Sequence, residues 1–136
     1  VSELSDLYRD TILQHAAEPQ GFGRKIDATH RNELYNPLCG DRIEVQLRIV
    51  NGEVVNAAFS GEACTICMAS ASLLCGDAPG QPVARLKQLH QRLHAALDDG
   101  QDLDGAEVLK PLLGVRPYPS RIRCATLPWS TALGAL

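Results

Sequence analysis

No stretch of this 136-residue chain approaches the ~20 consecutive apolar residues that a membrane span needs, so no transmembrane segment is expected. The opening residues, Val1-Ser2-Glu3-Leu4-Ser5-Asp6, offer neither a basic region nor an apolar one, and no secretory signal is expected there. Positive charge is not in excess either. The formal net charge is −3, the opposite of the basic face that a nucleic-acid partner requires. A serine nucleophile elbow and a phosphate-cradling glycine loop are missing, as is the His-x-Glu that precedes the cysteines of a zinc deaminase. Without repeats, low-complexity tracts or linkers, and with 45% apolar residues, residues 1–136 read as one globular domain. The five cysteines are an odd number and fit a disulfide framework poorly. With no signal, they point to a reducing compartment, the cytoplasm, where clustered thiols serve metal or redox chemistry.

What is there begins with an amphipathic rhythm over residues 4–16, at Leu4, Leu7, Tyr8, Thr11, Ile12, His15 and Ala16, with Ser2 as N-cap. Pro19-Gln20-Gly21-Phe22-Gly23 ends it. From Ile43 to Ile49 the alternation is strict, with Ile43, Val45, Leu47 and Ile49 on one face and Glu44, Gln46 and Arg48 on the other. Asn51-Gly52 supplies a type I′ turn into a second strand over about Val54–Phe59. A helix is expected from about Met68 to Leu74, and another carries the stripe Val83, Leu86, Leu89, Leu93 and Leu97, closed by Asp98-Asp99-Gly100. A short helical piece covers Ala106–Leu113. Pro117-Tyr118-Pro119 implies an extended approach to Cys124, and the tail from Leu127 reads as a helix with Pro128 in its first turn. The fold class is α+β: a small antiparallel sheet of about three strands, wet on one face and packed on helices by the other.

Three cysteines lie in separate contexts, the first two loop-like and the third leading into an apolar stretch: Asn36-Pro37-Leu38-Cys39-Gly40-Asp41, Gly61-Glu62-Ala63-Cys64-Thr65-Ile66-Cys67, and Arg121-Ile122-Arg123-Cys124-Ala125-Thr126-Leu127. With Asp41 they offer three thiolates and a carboxylate, a four-ligand set for a tetrahedral divalent metal. Gly40 lets the backbone turn so that Cys39 and Asp41 face one point. Arg42, Arg121 and Arg123 are placed to offset the surplus negative charge. By spacing alone, buried structural thiols fit equally well, since no CxxC…CxxC pair is present. Cys64-Thr65-Ile66-Cys67 is a CxxC at the mouth of a helix, but the βαβ frame of a thioredoxin does not precede it. Cys67 reads as a spare thiol, resolving or inert, and Cys75 as a packing residue. His90 and His94 are one helical turn apart without a third ligand, and with His15 and His30 they read as ordinary satisfied histidines.

These motifs resemble the iron–sulfur cluster assembly family that includes the U-type scaffold proteins, and within it the SufU-type branch. The likeness covers nearly the whole chain. It runs from Leu7-Tyr8-Arg9 and Ile12-Leu13-Gln14-His15 through the Cys39 and Cys64 loops to Met68-Ala69-Ser70-Ala71-Ser72. It ends in Gly114-Val115 and Pro119-x-Arg121-Ile122-x-Cys124-Ala125-Thr126-Leu127-x-Trp129. In the IscU-type branch a His precedes the last Cys and the interval before it is shorter; Arg123 and the long interval here follow the SufU-like pattern. The sequence departs from the family at Cys67, where Ser is usual, at Ala63, where Gly is usual, and in an abbreviated Gly76–Pro82 segment.

The resemblance implies a SufE/IscU-like fold and Zn²⁺ held by Cys39, Asp41, Cys64 and Cys124. It implies a sulfur acceptor for a pyridoxal-phosphate, SufS-like cysteine desulfurase whose persulfide passes to Cys39. On that reading a donor from the desulfurase replaces Cys39 at the metal, Asp41 anchors the ion, Arg123 balances charge, and Cys67 supports the site. Other assembly or acceptor proteins are further expected partners. Two alternatives share the residues: a scaffold that builds a [2Fe–2S] cluster or holds iron and hands it on, and a purely structural zinc module.

Overall fold

The computed structural model describes the backbone from residue 3 and side chains from residue 8, through Leu136. Helix α1 spans Glu3–Ala17, three strands follow as β1 (His30–Asn36), β2 (Asp41–Val50) and β3 (Glu53–Glu62), and then come α2 (Thr65–Asp77) and α3 (Val83–Asp99). A 3-10 helix at Glu107–Val115 leads into α4 (Pro119–Gly134). Ser2, expected as the N-cap of α1, lies outside the described residues. No helix of the described residues is long and apolar enough to cross a membrane.

The sheet is antiparallel in the order β1-β2-β3. Its centre follows the expected alternation: Ile43, Val45 and Leu47 are fully buried, while Glu44, Gln46 and Arg48 stay partly exposed. The Asn51-Gly52 turn has positive φ at both residues, 52° and 79°, as a type I′ turn requires. An irregularity in pairing at Arg48/Ile49 lies just before it. Helix α4 covers β1 and β2, and α2 lies between α1 and α4. On α3, four of the five residues of the expected stripe, Leu86, Leu89, Leu93 and Leu97, are buried, worth roughly 1.5–3 kcal/mol per side chain, while Val83 at its start is half-buried. Gly100 closes that helix in the left-handed conformation at φ 74°.

Two features differ from expectation. Cys124 is not approached by an extended segment: Pro119 opens α4 in its first turn, and Cys124 sits inside the helix. Pro128 is therefore internal to α4, and its missing N–H leaves the Cys124 carbonyl without its helical partner. Ser70 on α2 compensates nearby, donating its hydroxyl to the Ala125 carbonyl and accepting the indole N–H of fully buried Trp129 at 3.0 Å. That pair of bonds fastens the helix beginning after Cys64 to the helix carrying Cys124.

Gly61 matters for the same region. It pairs with Ile43, its φ is 144°, and a Cβ there would run into the Arg42 carbonyl oxygen. Gly61→Ala is expected to cost about 2–4 kcal/mol, through backbone strain and a clash with main chain that cannot rotate away. Chemical denaturation against the unsubstituted chain measures the loss.

Candidate metal centre

Pro37–Gly40 form the turn between β1 and β2. Asn36 shapes it twice over: its side-chain oxygen accepts the Leu38 N–H at 3.1 Å and its carbonyl accepts the Gly40 N–H at 2.8 Å. Gly40 takes φ 76°, which reverses the chain between Cys39 and Asp41 and aims both side chains at one point. Cys39 is exposed at the tip and Asp41, the first residue of β2, is 2% exposed.

Cys64 is the N-cap of α2. Its backbone N–H donates to Asp41 Oδ1 at 2.8 Å, and its Sγ lies 3.6 Å from Asp41 Oδ2. Cys124 comes from α4, buried, with Sγ 3.6 Å from Cys39 Sγ. The Cys39 thiol donates to Asp41 Oδ2 at 3.0 Å. Ligand atoms of Cys39, Asp41 and Cys124 all lie within 4.8 Å of one another; Cys64 stands against Asp41 but outside that tightest group.

The donor chemistry fits a divalent ion. Two thiolates bound at ~2.3 Å to a tetrahedral ion stand ~3.8 Å apart, and the Cys39–Cys124 spacing is 3.6 Å. Burial pushes the Asp41 carboxyl up, but hydrogen bonds from the Cys39 and Cys124 thiols and from the Cys64 backbone outweigh it and hold the group below the usual carboxylate range. Burial, then the neighbouring carboxylate and thiols, pushes the Cys124 thiol well up. Sulfur and carboxylate thus converge on the space a cation would occupy, and an entering cation would displace the thiol protons.

The site opens into a cleft of about 730 Å³ between α1, the 3-10 helix and the start of α4. Cys39, Cys64 and Cys124 line it together with the apolar Ile12, Ile66 and Val115. Its cationic residues are Arg9 and Arg121, and the Arg121 guanidinium lies over the Tyr118 ring at 5.4 Å. Of the arginines expected to balance charge, Arg121 lines the cleft. Arg42 instead pairs with Glu33 at 2.9 Å on the surface, and Arg123 is exposed and does not line the cleft. Arg9, Tyr8 and Tyr118 line it as well, and sequence reasoning assigned them no part in the site; the apolar rhythm of α1 was the one signal that could have turned it towards the cleft.

Cys67 is fully buried at the third residue of α2, and Cys75 is buried against Gly21, where burial pushes its thiol up to about 12. The histidines find ordinary partners: His15 with Ser72 at 2.7 Å, His30 with Thr29, His90 with Ser130 and His94 with Asp98.

The model of the NifU-like N-terminal domain matches residues 7–124. The zinc-dependent sulfurtransferase SufU of Bacillus subtilis is 34% identical over 133 residues, which cover 94% of this chain and 88% of the relative. The iron–sulfur cluster assembly scaffold protein IscU of Thermotoga maritima is 32% identical, with 96% and 92% covered. In structure, the N-terminal NifU-like protein of Brucella abortus superposes with TM-score 0.86 at 22% identity, covering 98% of this chain and 94% of its own. The putative SUF-system scaffold of Fervidobacterium islandicum does so at 0.84 and 21%, with 99% and 95% covered. Those two share the fold. The chain belongs to the NifU-like N-terminal domain family of iron–sulfur cluster assembly proteins.

Proposed function

We propose that this chain accepts sulfur from a cysteine desulfurase on Cys39, at a zinc centre made by Cys39, Asp41, Cys64 and Cys124. The observation that carries the reading is the position of Cys39. It is exposed at the tip of a turn and opens onto the cleft, yet its sulfur shares one point with Asp41 and buried Cys124. The relative named a zinc-dependent sulfurtransferase supports the choice of metal and of chemistry.

When bound, the metal would keep the thiolates deprotonated and shielded from oxidation. Cys39 supplies the nucleophile. Its thiolate attacks the outer sulfur of the partner's persulfide, the sulfur–sulfur bond of the donor breaks, and the partner's cysteine leaves as thiolate. Asp41 and Cys124, both buried, hold the floor of the site while the exposed thiol reacts. Arg9 and Arg121 line the same cleft and can stabilise the anionic persulfide. Partners on this reading are a SufS-like desulfurase and downstream cluster-assembly or acceptor proteins, in the reducing cytoplasm.

The test pairs metal content with turnover. Purified chain is expected to hold one zinc, and zinc-loaded chain to raise cysteine consumption by a SufS-type desulfurase severalfold. Unchanged consumption would overturn the acceptor role. The IscU-named relatives favour a second reading, in which the same thiols assemble a [2Fe–2S] cluster as cargo. Anaerobic addition of iron and sulfide separates the two: a stable visible chromophore requiring all three cysteines supports the scaffold.

A further inference from the structure

Cys64 has two neighbours of different kinds. In front of it stands Asp41, at 3.6 Å; behind it, in the core, stands Cys67. Cys64 caps α2 with an extended backbone, φ −69° and ψ 168°, and its sulfur accepts the N–H of Cys67 at 3.5 Å. That bond holds the Cys64 sulfur over the residue that carries the second thiol. Cys67 is 0% exposed, and its thiol makes no hydrogen bond among the described residues. Cys64 is exposed on the cleft, within reach of a small solute. An exposed cysteine at a helix mouth with a second one three residues on, under the same turn, is the arrangement in which a dithiol closes on itself.

We propose that Cys64 and Cys67 form a two-electron redox pair that closes to an intrachain disulfide on exposure to a peroxide, withdrawing Cys64 from the metal-binding set. The Cys64 thiolate attacks one peroxide oxygen, the O–O bond breaks, and the departing hydroxide takes up the proton that Cys64 released. Cys64 is left as a sulfenic acid. The Cys67 sulfur then attacks Cys64 Sγ; the S–OH bond breaks, and hydroxide leaves with the Cys67 proton as a second water. The two thiols lose two electrons and two hydrogens, and the peroxide is reduced to two waters. This goes beyond the sulfur-acceptor reading and needs no desulfurase.

Cys39 and Cys124 are the competing pair, with sulfurs 3.6 Å apart. That separation is the one shared ligation of a tetrahedral ion itself sets, so it marks a ligand pair. Cys67 has no such explanation; its thiol belongs to neither the ligand set nor any hydrogen bond among the described residues. Withdrawing Cys64 leaves the tightest group, Cys39, Asp41 and Cys124, with three donors in place of four.

The test treats zinc-loaded chain with hydrogen peroxide and blocks remaining thiols under denaturing conditions. The disulfide is mapped by mass spectrometry while a chromophoric indicator follows released zinc. The expected result is a Cys64–Cys67 bond, loss of the zinc in step with it, and full recovery of zinc binding after a dithiol. In Cys67→Ser, zinc is still lost, but Cys64 proceeds to the sulfinic acid and recovery is abolished. A bond joining Cys39 to Cys124 or to Cys64, an alkylatable Cys67 after oxidation, or zinc retained beside the disulfide would each overturn the proposal. The mapping repeated on metal-free chain must give the same bond, so a failure of the zinc assignment is distinguishable from a failure of the pair.

Discussion

Replacing Cys39 with alanine is expected to return a stimulated desulfurase to its basal rate while leaving the fold intact. Cys39 lies in a surface turn whose shape comes from Asn36 and Gly40, so removing its sulfur leaves the turn's hydrogen bonds in place. Alanine there opens no core cavity, and the stability cost is expected to stay within about 0.5 kcal/mol for the metal-free chain. The corresponding change at Cys124 removes a buried side chain that packs within α4 and contacts Cys39. Cys124→Ala is therefore expected to lose both metal and stability, whereas Cys39→Ala loses transfer at little cost to the fold. Desulfurase turnover with each variant, alongside a mass measurement for a persulfide on Cys39, distinguishes the two. Full stimulation by Cys39→Ala would move the acceptor role to another thiol, and Cys64, exposed on the same cleft, would be the one to test.

How much of this was visible in the sequence follows from what each signal measures. The β2–β3 hairpin was legible because a half-buried strand writes period-two alternation and Asn51-Gly52 writes its turn. Strand β1 was not located, since His30-Arg31-Asn32-Glu33-Leu34-Tyr35-Asn36 lies at the sheet's edge and buries no side chain fully. An edge strand of this kind is specified by its pairing with β2, which leaves no local pattern. The candidate ligands stood out because their chemistry is local: a Cys-Gly-Asp turn and a Cys at a helix mouth. Which of the named arginines would reach the cleft was not legible, because their placement depends on the backbone between them. An extended run would present Arg121 and Arg123 together on one side. In α4 the residues that share a face with Cys124 are those three and four positions before it, which selects Arg121 and Ser120 and turns Arg123 away. The misjudged element was thus Pro119: placed in the first turn of a helix, it carries the third cysteine into regular structure.

Removing the metal is expected to lower the melting temperature by roughly 8–10 °C without unfolding the chain at room temperature. A ligand present at a hundredfold its dissociation constant contributes about 2.7 kcal/mol, and a chain of this size shifts by about 3–4 °C for each kcal/mol. The residues that would hold the ion come from the β1–β2 turn, the start of α2 and the middle of α4, so the ion would join segments far apart in sequence. Those segments are also fastened without it. Asp41 accepts the Cys64 N–H, Ser70 bridges Trp129 and Ala125, and Asn32 donates to the Thr131 carbonyl at 3.2 Å. Beneath them lies a continuous core running from Ile43, Val45 and Leu47 through Phe59 and Leu74 to Trp129. A core of that extent supports the fold alone, whereas a structural zinc module depends on its ion outright. Chelation followed by circular dichroism and a thermal melt separates these cases. Retained helical signal with a lowered midpoint fits a centre whose ligands can exchange, and collapse of the signal on chelation would instead make the ion a structural one.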